Sequence, residues 1–381
     1  MIAYAINELL NCHILEQGRE NFHASKISQK SFQKIEGSYS CKLYTPGLFI
    51  AIGLGLVTTI ALIFTAVLVG LMTSFSNFEA FAGISIFMTI LSYFLLEGMV
   101  KSKRYFNAGV DNALMILVLG FTAGIFIISE INTPWILFNV IMMAVALWLS
   151  VRFTDALMAI ISCAFFFVLC FLLLMKLGIS AIFYFPFVMM LLSGSLYFIV
   201  KNTSKKVSFV YEKCMTVLSI FLLVVFYASG NYWVINEIQM TVFNEPVMLS
   251  FGWFYWIFTF AIPFLYIVYG IAKKDLIPIR TGIFLVMAAI LTYKYFFTML
   301  PLEIEMLLLG IVLITVAYFL IKWLRQTRRG FTSQIISPRP EWKNIEGLII
   351  AETMSGGDKT IQDDNLFSGG SGGGGGASGD F

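Results

Sequence analysis

Long runs of apolar residues separated by short polar turns fill the chain from Pro46 to Ile321. A helix needs about 20 apolar residues to cross the ~30 Å hydrocarbon core of a bilayer. The runs are continuous and do not alternate as the strands of a membrane barrel would. Because backbone polar groups in lipid must be satisfied internally, such runs indicate helices. We therefore predict an all-α fold, a polytopic transmembrane helical bundle of about ten spans.

The ten predicted spans lie at about Pro46–Met72, Phe78–Val100, Gly109–Ser129, Pro134–Val151, Ala156–Met175, Leu177–Val200, Cys214–Ile235, Pro246–Ala272, Thr281–Met299 and Leu302–Ile321. The first span carries no charge, whereas Lys294 interrupts the ninth. The polar segment after Met1 does not resemble a cleavable signal peptide, so the first span is expected to act as its own insertion signal.

Polar segments precede and follow the bundle along the chain. Residues 1–45 form a head with apolar positions at helical spacing and a second helix at about Ser25–Ile35, which predicts a short cytoplasmic helical hairpin. Residues 46–321 form the bundle. Residues 322–381 begin with a basic juxtamembrane segment and end in a Gly/Ser-rich tract, which is typical of a disordered, flexible tail.

Composition excludes several classes of protein. The chain is 59% hydrophobic and 12% charged, whereas a soluble domain carries about 25% charged residues. A soluble enzyme and a disordered protein are excluded on this ground. The net charge of +3 is too small for an electrostatic footprint on nucleic acid, so the lipid bilayer is the predicted partner.

The cations alternate with the spans. Lysines and arginines occupy the head, every second connection and the segment after the last span, and Lys176 and Lys294 alone depart from this pattern. Cytoplasmic loops of membrane proteins carry the excess of Lys and Arg. We predict a multi-pass protein of the bacterial inner membrane with both termini in the cytoplasm.

Cysteine and histidine positions limit the chemistry that the chain could perform. All five cysteines lie in predicted cytoplasmic parts or inside spans, so no disulfide is expected. The two histidines, His13 and His23, both belong to the head. No metal site, haem-type pair or other cofactor is predicted within the spans.

Two similar segments provide candidate site residues. Arg104 precedes Asp111 at the start of the third span, and Arg152 precedes Asp155 at the start of the fifth. With Glu97 they make a candidate polar cluster at a cytoplasmic mouth, because charge within the membrane is costly and often functional. The alternative interpretation is structural, since an aspartate at a helix start is stabilised by the helix dipole.

Two further groups of charged residues are candidates for a functional role. Lys294 is a candidate in-membrane charge, either reaching outward to the interface or pairing with Glu79, Glu303 or Glu305. The cations that follow the last span could bind anionic lipid; they are Lys322, Arg325, Arg328 and Arg329.

Two segments resemble a known group of proteins. They are Lys42-Leu43-Tyr44-Thr45-Pro46-Gly47 at the junction of the head with the first span, and Asp111-Asn112-Ala113-Leu114. Both are similar to segments of bacterial predicted membrane proteins that carry a domain of unknown function, number 2157. The resemblance implies a short helical head followed by eight to ten spans, and it implies no reaction.

Three functions remain open. The sequence favours a non-enzymatic membrane protein with a scaffold or envelope-homeostasis role. The alternative is a secondary transporter or permease for a small or lipid-like molecule, which needs a polar site near the midplane; Asn139 is one of few polar candidates. An intramembrane enzyme needs paired carboxylates or a nucleophile deep in the bilayer, and the spans offer neither.

Overall fold

A computed structural model describes residues 2–23, 26–72, 78–128, 135–178, 180–204, 209–243 and 251–297, together with single helical positions between 304 and 322. The head contains α1 (Ile6–His23) and α2 (Gln29–Ser38). The remaining α-helices are α3 (Leu48–Met72), α4 (Phe78–Lys103), α5 (Val110–Ile128), α6 (Trp135–Phe153), α7 (Ala156–Lys176), α8 (Ser180–Ser204), α9 (Glu212–Ala228), α10 (Tyr232–Phe243), α11 (Gly252–Lys273) and α12 (Leu276–Phe296). A short 3-10 helix, Phe209–Tyr211, leads into α9.

The described residues are nearly all helical, which confirms the predicted fold class in its coarse form. Eight helices are long and apolar enough to cross a membrane, and α5 is a shorter apolar helix. They correspond to predicted spans one to nine. The tenth predicted span and the tail fall largely outside the described residues.

The helices pack as hairpins that stand side by side. α4 packs on α5, α6 on α7, α8 on α9 and α11 on α12, while α3 covers α5 and α9 contacts both α7 and α12. One buried cluster of side chains runs from α1 through α3–α7, and a second joins α7, α8 and α9. Phe167 on α7 belongs to the second cluster and Met158 on the same helix to the first, so α7 joins the two parts of the bundle.

Four hairpin turns and the head lie on one face of the bundle, which we call the head-side face. Tyr44 N donates to the Arg104 carbonyl, and Tyr211 Oη donates to the Val151 carbonyl. The described cations of these turns are Lys101, Lys103, Arg104, Arg152, Lys201, Lys213, Lys273, Lys274 and Arg280. Lys176 and Lys294 end helices that run the other way. The alternation of basic turns along the sequence thus becomes a separation in space.

The seventh predicted span, Cys214–Ile235, is wrong at its far end. Helix α9 stops at Ala228, and α10 starts at Tyr232 after a turn. A Cβ on Gly230 would lie 2.3 Å from the Phe258 ring, so a side chain where the turn meets α11 would have to displace that ring. The Asn231 carboxamide oxygen then accepts from the Trp233 and Val234 N–H groups and caps α10.

The structure also differs from the expectation that no disulfide forms. Cys12 on α1 is bonded to Cys41 in the segment that leads into α3, with Cα atoms 4.8 Å apart, which is a normal separation for a disulfide. Asn11 Nδ2 also donates to the Ser40 carbonyl, so the segment lies along α1. The expectation rested on compartment alone and could not show that the two cysteines are neighbours.

Candidate functional site

An ion pair on the head-side face joins the end of α4 to the end of α6. Arg152 Nε donates to Glu97 Oε1, and Lys101 Nζ lies 3.0 Å from Glu97 Oε2. Tyr93 Oη donates to Glu97 Oε1 over 3.3 Å and accepts from Trp148 Nε1 over 3.2 Å. The Glu97 and Arg152 side chains are only 12% and 19% exposed, so solvent screens their attraction weakly.

Two predicted aspartates hold the starts of the neighbouring helices. Asp155 Oδ1 accepts from Met158 N over 2.8 Å and is the N-cap of α7. Asp111, in the first turn of α5, accepts from the backbone N–H groups of Asn107 and Ala108 over 2.7 and 2.9 Å. Side-chain oxygens at helix starts satisfy donors that have no partner within the helix. These contacts agree with the structural interpretation of both residues.

The charge of Asp111 also acts on the carboxyl group of Asp155. Burial raises the pKa of the Asp155 carboxyl above its usual range, and the charge of Asp111 raises it further. Backbone N–H groups of Met158 and Leu157 act in the opposite direction. The site therefore brings two carboxyl groups into electrostatic contact while the backbone fixes the place of each.

The first residues of the head cover this pair. Ala3 N donates to the Arg152 carbonyl over 2.9 Å, and Tyr4 packs edge-on against Phe106. Burial raises the pKa of the Tyr4 phenol, and the charges of both aspartates add to the increase. Tyr4, 6% exposed, thus shields the two carboxyl groups from the head side.

Arg104 forms an ion pair with the head and not with the two aspartates. Its Nη1 lies 2.9 Å from Glu8 Oε1 on α1. A second link joins Lys213 at the start of α9 to Glu16 on α1, 3.6 Å apart. The structure therefore distributes the five predicted residues over an ion pair between helices, two helix starts and one contact with the head.

Three of these turns contain a non-glycine residue with left-handed backbone conformation. Arg104, Thr154 and Lys274 each follow the last residue of a helix and have φ of 55°, 55° and 54°. Left-handed backbone at non-glycine residues costs roughly 1–2 kcal/mol. In two of the turns an aspartate comes next and caps the following helix: Asp155 for α7 and Asp275 for α12.

Sequence reasoning missed a second charged cluster on the same face. Lys201 Nζ donates to Asp275 Oδ2 over 2.9 Å and to the hydroxyl groups of Tyr197 and Tyr269 over 3.2 and 3.3 Å. The ammonium also lies 5.4 and 5.0 Å from the centres of the two tyrosine rings, within reach of cation–π attraction. The sequence contains a signal that could have indicated this cluster, namely an aspartate that follows a basic helix end. Asp275 follows Lys274 in this way, as Asp155 follows Arg152.

Two cavities open on the head-side face. One of about 290 Å³ contains Lys201 and Asp275, and one of about 530 Å³ lies between α1 and the starts of α7 and α9. Both are lined in part by Phe209, Glu212 and Thr216. Among the described residues no group of three His, Cys, Asp or Glu side chains could hold a metal ion. The cavities present carboxylates, hydroxyls, the His13 ring and the ammonium groups of Lys201 and Lys213.

The other predicted residues lie away from this face or outside the described residues. Lys294 is half-buried in the last turn of α12, at the opposite end of the bundle. Asn139, near the start of α6, donates to the Trp135 carbonyl. Lys322 is helical and exposed. The suggested partners of Lys294 and the remaining lipid-binding candidates lie outside the described side chains: Glu79, Glu303, Glu305, Arg325, Arg328 and Arg329.

Comparisons of the chain with protein-family models, with curated proteins and with solved structures give no match. The similarity to the domain of unknown function 2157 stays a prediction. Inferences about function therefore rest on the geometry of the head-side face.

Proposed function

We propose that the protein is a ten-span protein of the bacterial inner membrane, with head and tail in the cytoplasm, and that it has a non-enzymatic scaffold or envelope-homeostasis role. One observation carries the proposal. Ion pairs on the head-side face join helices to each other or to the head, as in Glu97–Arg152, Arg104–Glu8 and Lys201–Asp275. An enzyme needs reacting groups directed at a substrate, whereas these groups hold the cytoplasmic ends of the bundle in place.

The orientation is supported by the cations. The described basic turns share the face that carries the head, and excess Lys and Arg mark the cytoplasmic side. A fluorescent protein fused after Phe381 is expected to fluoresce, and alkaline phosphatase at the same place is expected to be inactive. Active phosphatase would overturn the orientation.

The scaffold role is tested with variants that change the structure little but remove the groups that could exchange protons. Asp111→Asn and Asp155→Asn each retain one side-chain oxygen that can accept a backbone hydrogen bond but remove both ionisable groups, and Asp111→Asn gives up one of the two hydrogen bonds that Asp111 accepts. In a deletion strain with an envelope-stress defect, the double variant should restore growth as fully as the wild type. Loss of complementation by a variant that reaches the membrane in normal amount and melts normally would favour an enzyme or a proton-coupled transporter.

The second candidate function is a permease for small or lipid-like molecules. It is favoured by the two head-side cavities, which share Phe209, Glu212 and Thr216. Their volumes, about 290 and 530 Å³, together lie in the range of ligand pockets. Proteoliposomes would be assayed for movement of a fluorescent phospholipid between leaflets. Movement faster than in protein-free vesicles, and slowed by Thr216→Trp, would favour transport over the scaffold role.

A further inference from the structure

A groove opens sideways between α4 and α6, and α5 forms its floor. It has a volume of about 480 Å³. Tyr93 and Phe94 belong to one wall, Ala144 and Trp148 to the other, and Val118 and Thr122 to the floor. We call it the lateral groove. The Phe94 and Trp148 side chains are 69% and 54% exposed on the outside of the bundle, where a membrane protein meets lipid.

The lining of the lateral groove is apolar even where threonine contributes to it. Thr89 Oγ1 donates to the Ser85 carbonyl, and Thr122 Oγ1 donates to the Val118 carbonyl. Both hydroxyl protons are thus used within their own helices. A groove of this kind in the hydrocarbon layer gains nothing from water and is filled by apolar chains.

One end of the lateral groove is polar and cationic. There Trp148 Nε1 donates to Tyr93 Oη, and the hydrogen bond bridges α4 and α6. Directly beyond lie Glu97, Lys101 and Arg152, so two cations accompany one carboxylate and leave one net positive charge. The Lys101 side chain is 64% exposed. This end belongs to the head-side face, at the level of the helix ends where phospholipid headgroups lie.

We propose that the lateral groove binds one acyl chain of a bilayer glycerophospholipid whose anionic headgroup lies at Lys101. The apolar lining of the groove and its polar, cationic end match an amphiphile with an apolar chain and a negative head, and basic pockets at helix ends attract such lipids. The proposal depends on the placement of the bundle in a membrane. It does not depend on the scaffold role, so either can fail without the other.

The experiment is native mass spectrometry of the full chain released from nanodiscs of phosphatidylglycerol or of phosphatidylcholine. Ala144→Phe fills the groove from an exposed position on its wall. Ala61→Phe, on the exposed side of α3, adds the same ring to a lipid-facing surface elsewhere. Wild type and Ala61→Phe should retain one phospholipid, and Ala144→Phe should retain about tenfold less, the effect of losing the burial of about two methylene groups.

A third variant tests the headgroup. Lys101→Gln should keep the bound lipid but lose the preference for phosphatidylglycerol over phosphatidylcholine. Equal retention by Ala144→Phe and Ala61→Phe would overturn the acyl-chain site. A lipid preference unchanged in Lys101→Gln would overturn the headgroup assignment. Should Ala144→Phe lower the melting temperature, Ala144→Leu is judged by the same criterion.

Discussion

The ammonium group of Lys201, at the end of α8, lies 2.9 Å from the Asp275 carboxylate that caps α12, although 74 residues separate them in the chain. Tyr269 of α11 contacts the same ammonium group. The pair therefore ties the α8–α9 hairpin to the α11–α12 hairpin. Its side chains are 27% and 22% exposed, intermediate between a surface pair and a buried one.

Removing Asp275 should show two separable effects. Asp275→Asn keeps an N-cap but loses the ion pair, and we expect a loss of about 1–3 kcal/mol in the free energy of unfolding. Asp275→Ala also removes the hydrogen bond to Ile277 N and should cost about 1 kcal/mol more. SDS-induced unfolding in mixed micelles measures both. Equal losses for the two variants would show that the cap contributes nothing.

The Glu97–Arg152 pair should be strongly coupled. We expect Glu97→Gln and Arg152→Gln each to destabilise the protein, because each removes the same ion pair between two partly buried groups, and the double variant to cost less than their sum. A coupling energy of about 1–3 kcal/mol is expected from the double-mutant cycle. Additive effects in the same unfolding assay would contradict the close pairing of α4 with α6.

Asp155 should make stability depend on pH. Because its folded-state pKa is raised, its favourable contribution is fully present below the unfolded-state pKa of about 4 and is lost as pH rises through the folded-state pKa. The difference in stability between wild type and Asp155→Asn should therefore shift against the wild type with rising pH. Melting curves of both proteins at several pH values test this, and a constant difference would disprove it.

Whether the Cys12–Cys41 bond is formed should depend on the redox conditions of the compartment that contains the head. If the head is cytoplasmic, the cellular thiol pool should keep both cysteines reduced in living cells, and air should oxidise them after purification because the structure places them side by side. Acid quenching followed by alkylation with a maleimide mass tag distinguishes the two states. Cys12→Ser provides the control. A bond already formed in cells at quenching would contradict a cytoplasmic head.

Gly230 should tolerate no side chain. Gly230→Ala places a Cβ 2.3 Å from the Phe258 ring and 2.5 Å from Met190 Cε, so we expect a loss of about 1–3 kcal/mol. Gly98→Ala on α4 is the matched control, since its Cβ would meet nothing within 4 Å. Phe258→Leu should recover part of the loss. Equal stability of the two alanine variants would refute the close approach of α9 and α11.

Sequence patterns located most helices because membrane spans follow from local composition. A run such as Leu48–Met72 must be helical in lipid wherever its neighbours lie. The pattern failed at Gly230 because an apolar run continues through a turn that depends on the position of Phe258. Similarly, Asp111 and Asp155 were recognised as candidate charges, but whether they meet a substrate or a backbone N–H was not encoded in their spacing.

The sequence by itself determined that the described part of the chain is helical and apolar, approximately where its long apolar helices lie, and that the cations of the described turns group on one side. These properties depend on residues that are close together along the chain. Only the tertiary structure decided that Lys201 meets Asp275, that Cys12 meets Cys41, and that α4 and α6 leave a groove above α5. Such contacts join residues far apart in sequence, and only the packing of helices and of the segments between them brings these residues together.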